Sequence, residues 1–325
     1  MAPYLAALGA ATMCAASVPQ LIRWLRRTST FDISNQRSSH VGVVPRGGGI
    51  SIIASVVTAL LVFGGNGGAS LALVAVMFAL GAVGFLDDRR GLHPILRLFF
   101  QLIAGLAVGL IASGFAGASA RFGALSVAFL IYMVNAFNFM DGINGISGLH
   151  AVLFSVVLAT QFLLLDEADL ALVALALAGA CAGFLPFNFP NARVFLGDVG
   201  SYFVGGLTSG LAILAISYGA NWVITASVFG YYILDTGSTL ALRIFHRRNL
   251  FEAHREHAYQ LLVRSGWSHA RTSGATALLS LFALLVASLT ISLFDTWAVV
   301  LLVVASIVVP LGFLRRRLSE LGTVT

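Results

Sequence analysis

The chain has no lysine and few charges of any kind: charged residues make up 10% of its 325 positions, and all 19 basic residues are arginine. A soluble domain usually carries about 25% charged residues. A chain that is 58% hydrophobic, with mean hydropathy +0.94, has no way to cover its apolar surface in water. A soluble globular fold is excluded. Cysteine is scarce as well. Cys14 and Cys181 both fall inside apolar runs, which predicts two packed free thiols and no disulfide. The sequence lacks GxxxxGK[ST] and any glycine-rich finger following a strand, so ATP hydrolysis and dinucleotide binding are unsupported. No long linker, sequence repeat or domain-sized polar stretch interrupts it. Arginine offers a fork of donors suited to phosphate oxygens, but a GC-rich genome also yields an all-arginine count and accounts for most of these.

What is present is apolar length. A helix crosses the hydrocarbon core with about 20 residues. Eleven runs meet that need, near 2–22, 47–64, 69–86, 98–114, 122–139, 146–165, 169–186, 199–217, 221–242, 273–293 and 296–314. The predicted fold is all-α, one polytopic transmembrane domain over 1–325 with about eleven helices. The first run has no basic residue before it and Arg23, Arg26 and Arg27 after it, the reverse of a cleavable signal peptide. The loops near 23–46, 87–97, 187–198 and 243–272, with the tail, hold every arginine except Arg121. The positive-inside rule makes that side cytoplasmic. Loop 140–146 then shares it, with the N-terminus periplasmic and the C-terminus cytoplasmic. Any polytopic protein needs such a bias, so it says nothing of substrate. Gly105/Gly109, Gly179/Gly183 and Gly206/Gly210 sit at the spacing of close helix packing.

Acidic stations recur where apolar runs meet this face. Asp87-Asp88 are adjacent carboxylates, which repel unless a cation or proton joins them. The run Asn138-Phe139-Met140-Asp141-Gly142-Ile143-Asn144-Gly145 spaces Asn138, Asp141 and Asn144 three apart, on one face of any helical part. Prolines 186 and 190 are expected to stop the seventh run. Beyond them Phe195-Leu196-Gly197-Asp198 opens the eighth, where Asp198 is either a helix cap or a ligand. The fourth station is Glu252-Ala253-His254-Arg255-Glu256-His257, whose histidines share a face if helical. Without HExxH it is a poor zinc signal and a better anion site. The segment Arg37-Ser38-Ser39-His40 through Pro45-Arg46-Gly47-Gly48-Gly49 adds basic groups and backbone donors. Asp235, inside the ninth run, reads equally as a paired structural acid or a catalytic one.

Five motifs together (RxxHxxxxPRGGG, the acidic pair, NxxDGxNG, FxGDxGS and His-Arg-Glu-His) lie in one order between spans. In this the chain resembles the polyprenyl-phosphate N-acetylhexosamine-1-phosphate transferase superfamily over nearly its whole length. His254-Arg255-Glu256-His257 followed by Tyr259-Gln260 resembles the branch serving surface polysaccharides. The resemblance implies that Asp87 and Asp88 handle the lipid phosphate and metal, and that Asp198 is a Mg²⁺ ligand, with Asp88 and Asn138 as further ligands. It implies catalytic roles for Asp87, Asp88, Asp141 and Asp198. Nucleotide and sugar contacts fall on Asn138, Asn144, Phe195 (stacked on uracil), His254, Arg255, His257, Arg46 and Arg97. Many members carry Asp where this chain has Asn144, and Lys where it has Arg97, which puts an acid role at the first in doubt and changes the geometry at the second.

The function so implied is transfer of N-acetylhexosamine-1-phosphate from a UDP-sugar to undecaprenyl phosphate at a bacterial inner membrane, releasing UMP. Mg²⁺ is the expected cofactor, with Mn²⁺ as substitute. The partners are a UDP-N-acetylhexosamine, undecaprenyl phosphate and the lipid bilayer, with no nucleic acid and a homodimer left open. Two other readings stay open from the residues alone. One is an intramembrane aspartyl protease with Asp87 and Asp198 as its dyad, although the Gly-x-Gly-Asp such sites favour lacks its first glycine here. The other is a secondary transporter, although transporters place ionisable groups near the midplane.

Overall fold

A computed structural model describes residues 1–28, 31–33, 43–64, 67–249 and 255–320. Its helices are α1 (Ala2–Arg27), α2 (Gly49–Phe63), α3 (Gly68–Arg90), α4 (Pro94–Ala116), α5 (Ala120–Met140) and α6 (Ile146–Leu164), then α7 (Ala168–Asn188), α8 (Gly197–Ser217), α9 (Trp222–Phe245), α10 (Ala258–Arg264), α11 (His269–Thr290) and α12 (Thr296–Glu320). Each of the eleven apolar runs coincides with one helix, and the additional one, α10, is the short helix of the 243–272 loop. Among the described residues, nine helices are long and apolar enough to cross a membrane. The other two runs fall short for different reasons. Helix α2 has only 15 residues, and α9 is made less apolar by Asp235, Thr236, Ser238 and Thr239. The chain is an all-α, multi-pass membrane protein. One small element lay outside that expectation: strands β1 (Phe31–Ile33) and β2 (Val43–Pro45) pair antiparallel.

Helix ends follow local chemistry. Pro94 opens α4 with its N–H already surplus, and His93 caps it by accepting from Ile95 N. Ser119, Asn221 and Ser268 cap α5, α9 and α11 through side-chain oxygens. Helix α7 corrects one expectation. It runs through Pro186 to Asn188 and stops before Pro190, with Phe189 extended at φ −138° and ψ 142°. The residue preceding a proline is disfavoured in the helical region, so Pro190 sets this boundary and Pro186 does not.

Helix α8 is the axis of the fold. Every residue from Gly197 to Ala215 is buried, and α2 to α7 and α9 pack round it. Large apolar side chains on the periphery, including Leu106 and Leu110 of α4, Leu285 of α11 and Leu301 of α12, point outward. In a bilayer such a surface meets hydrocarbon at no cost. The paired glycines do pack closely. Gly179 and Gly183 lie against the Ala7 and Ala11 backbone of α1, Gly105 and Gly109 against α5, and Gly206 and Gly210 against α3. Cys14 and Cys181 are buried free thiols.

Candidate active site

Two loops build the site by lacing their backbones together. Phe195 N donates to Pro45 O at 2.8 Å, Gly48 N to Phe195 O at 2.8 Å, and Gly49 N to Leu196 O at 2.9 Å. The glycines make this approach possible: Gly197 sits at φ +77°, in the left-handed region that favours glycine. Arg46, between the laced residues, is thereby aimed at two carboxylates at once. Its Nε lies 2.7 Å from Asp88 Oδ1 and its Nη2 lies 2.6 Å from Asp198 Oδ1.

Helix α3 brings Asp87 and Asp88 to the start of α8. The approach is close because residue 84 is glycine, whose Cβ would run into the Asp198 carbonyl. Asp88 caps α8 from outside it, accepting Asp198 N at 2.9 Å on Oδ1 and Val199 N at 3.0 Å on Oδ2. A carboxylate there complements the positive end of the helix dipole. The choice between cap and ligand for Asp198 is thus resolved in part: the cap of α8 comes from Asp88. Asp87 is spent differently. It accepts Leu92 N at 2.8 Å and the Tyr202 hydroxyl at 2.8 Å, and it pairs with Arg97 Nε at 2.9 Å. Arg97 also donates to Leu92 O, so in this structure it holds the acidic pair's loop.

Asp198 Oδ1 also accepts from Asn138 Nδ2 at 2.7 Å, and the same amide reaches Ser201 Oγ at 3.1 Å. Asn138 lies in the last turn of α5. That helix ends at Met140, with Asp141 as its C-cap at φ −78° and ψ 41°. The expected shared face of Asn138, Asp141 and Asn144 is therefore not helical; a turn carries the last two. Burial pushes the Asp141 carboxyl up to about 7, against the pull of Ser147 and Arg46, while Asp198 and Asp88 raise it further. Asp88, Asp141, Asp198 and Arg46 form one electrostatic cluster.

Asn144 is an anchor. It donates through Nδ2 to Pro190 O at 2.9 Å and through its N–H to His269 Nδ1 at 3.3 Å, and it accepts from the Ser273 hydroxyl at 2.8 Å. With Phe195, Val44, Ser268 and His269 it lines a cleft of about 450 Å³. Arg255 and His257 belong to the described residues; Arg37, His40, Glu252 and His254 lie outside them. The pattern expected of a helical HxxH is not met at its described end. Residues 255 and 256 are non-helical and His257 is the N-cap of α10, its ring stacked 6.0 Å from both Phe139 and Tyr259. Glu256 is taken by Arg243 at 3.0 Å and Arg248 at 2.6 Å. Burial pushes its carboxyl up, and the two arginines outweigh that and hold it below its ordinary range.

For a hard cation, the oxygens still open decide. Among the described residues no group of three or more His, Cys, Asp or Glu is placed to cage a metal. Asp88 spends both oxygens on α8 amides and Arg46. Asp198 Oδ2 and Asn138 Oδ1 accept from none of the described residues, since Asp198 is engaged through Oδ1 and Asn138 through Nδ2. Mg²⁺ prefers such a site, with one or two carboxylates and the remaining positions left to water and phosphate oxygens. The residues fit an ion shared with a phosphorylated substrate. Sequence reasoning passed over Tyr202 and His269. Tyr202 directly follows the FxGDxGS motif, a usable signal; nothing near His269 in sequence marks it.

The family model described as glycosyl transferase family 4 matches residues 70–216, from α3 through α8. Over these residues the chain is similar to this family. Similar proteins carry the names of phosphotransferases. Phospho-N-acetylmuramoyl-pentapeptide-transferase of Streptococcus gordonii is 28% identical over 252 residues, covering 69% of this chain and 76% of its own. "Probable undecaprenyl-phosphate N-acetylglucosaminyl 1-phosphate transferase" of Bacillus subtilis is 26% identical over 260 residues, covering 75% and 72%. Decaprenyl-phosphate N-acetylglucosaminephosphotransferase of Mycobacterium tuberculosis is 28% identical over 281 residues, covering 73% and 69%. The family match spans the acidic pair, Asn138, Asp141 and Asp198, and Arg46 reaches them from outside it.

Proposed function

We propose that the protein transfers N-acetylhexosamine-1-phosphate from a UDP-sugar to undecaprenyl phosphate on the cytoplasmic side of the inner membrane. UMP leaves, and the product is the first polyprenyl-diphosphate sugar of a surface-polysaccharide pathway. The observation that carries this reading is Arg46 bridging Asp88 and Asp198 where α3, α5 and α8 meet. Both reactants are anions, and their approach is opposed by charge. A guanidinium already seated among carboxylates offers fixed donors to phosphate oxygens without reorganisation during the reaction. Asp198 and Asn138 would hold Mg²⁺, which supplies charge neutralisation on the diphosphate. Asp88 keeps the amide end of α8 in register beneath it.

The cleft beside Phe195 and Asn144 suits a uracil ring stacked on Phe195, with Arg255 and His257 toward the diphosphate and sugar. The branch reading rests on the His-Arg-Glu-His segment with Tyr259-Gln260. A proteolytic dyad finds no support: Asp87 pairs with Arg97 and Tyr202, and Asp198 with Arg46 and Asn138. The test is purified protein with Mg²⁺, undecaprenyl phosphate and a panel of UDP-N-acetyl sugars, reading UMP release. Asp198→Asn should abolish release in a folded protein. Near-normal turnover by that variant would remove Asp198 from the site.

A further inference from the structure

Asp235 is a fully buried carboxylate that the active-site cluster does not use. Taking such a group out of water is costly unless donors compensate it. Ala258 N reaches Asp235 Oδ1 at 2.9 Å and Oδ2 at 3.1 Å, and the Tyr231 hydroxyl reaches Oδ2 at 3.3 Å. Ala258 is the first residue of α10, so a carboxylate on α9 receives the leading amide of a helix 23 positions away.

A second anchor lies on α9. Arg243, eight residues on along the same helix, is buried and holds Glu256 at 3.0 Å. The segment 255–257 is therefore tied on both sides, at Glu256 by Arg243 and at Ala258 by Asp235. Beyond it, the Tyr259 hydroxyl donates to Phe139 O at 2.8 Å, two residues before Asp141. The same hydroxyl fills the space that a Cβ at Gly142 would need. Helix α10 thus rests on the acidic turn after α5.

We propose that Asp235 is a positioning residue: with Arg243 it clamps the start of α10, so that Arg255 and His257 face the Asp141 turn at the distance substrate requires. This rests on the reading of the site given above and assigns a role to an acid that motif analysis leaves undecided. Asp235 touches no reacting atom and acts through the backbone of Ala258.

Asp235→Asn keeps the shape but turns one acceptor into a donor facing the Ala258 amide. Turnover with UDP-sugar should fall on the order of 10- to 100-fold, as for loss of an orienting partner, while KM for undecaprenyl phosphate stays unchanged. Amide exchange, followed by mass spectrometry, should accelerate in peptides covering 255–264 and not in α1–α8. Tyr259→Phe, which loosens the far end of the same clamp, should act in the same direction, and the double variant should be less than additive. Wild-type turnover and exchange in Asp235→Asn would overturn the proposal. So would a loss that raises KM for both substrates with faster exchange throughout, since that marks general destabilisation. Should Asp235→Asn fail to fold, Tyr259→Phe with normal exchange over 255–264 and normal turnover would overturn it. Absence of UMP release from the wild-type protein would sink the assigned reaction, and the exchange readout would still decide the clamp.

Discussion

Arg46 Nη2 lies 2.6 Å from Asp198 Oδ1 across 152 residues of sequence, and the same guanidinium turns its Nε to Asp88. A lysine reaches one of these oxygens and cannot fork to both. Arg46→Lys should therefore lower kcat/KM for UMP release by roughly 10-fold, and Arg46→Ala by about 100-fold or more, as for removal of a fixed transition-state donor. Steady-state kinetics with both substrates varied will show it. A lysine variant equal to wild type would mean that the fork is not used.

Asp141 predicts a pH dependence. Its folded carboxyl is raised by burial from 3.8 to about 7, so the folded protein binds a proton that the unfolded chain has already released between those values. The stability gained is full below the unfolded value and is lost as pH rises through about 7. In metal-free buffer the melting temperature should fall between about pH 4 and about pH 7 and level off above. Asp141→Asn, which cannot ionise, should flatten that slope. Differential scanning fluorimetry of the detergent-solubilised protein measures both; an unchanged slope in the variant would assign the proton elsewhere.

Gly84 predicts a steric effect at a distance from substrate. A methyl group there meets the Asp198 carbonyl, which is backbone and cannot rotate away. Gly84→Ala should destabilise the protein by about 1–3 kcal/mol, as overpacking does. It should also lower turnover, because α3 must withdraw from α8 and carry Asp88 off the Asp198 amide. Melting and UMP release on the same preparation test this, and loss of both is the expected result.

The helices were legible because hydrophobic length is written directly in the chain, and all eleven runs became helices within six residues of the expected ends. Asp88, Asn138 and Asp198 were legible as motif members that meet. Their division of labour was not. That Asp88 serves the α8 amides while Asp87 turns to Tyr202 and Arg97 depends on how α3 rotates against α8, and adjacent aspartates carry no sign of it. Pro186 misled for a related reason. A proline's local preference to end a helix yielded to packing of α7 against α1 and α6. The lacing of residues 45–49 to 195–198 is backbone pairing, and glycine-rich sequence permits it without specifying its partner.

Because α8 presents no side chain to lipid from Gly197 to Ala215, the floor beneath Asp198 is insulated from the bilayer. A membrane of different thickness tilts or strains the helices that face hydrocarbon, here α4, α11 and α12 above all. The floor feels such strain only second-hand, through neighbouring helices, which under the proposed lipid-consuming reaction would keep the centre's geometry steady while its surroundings adapt.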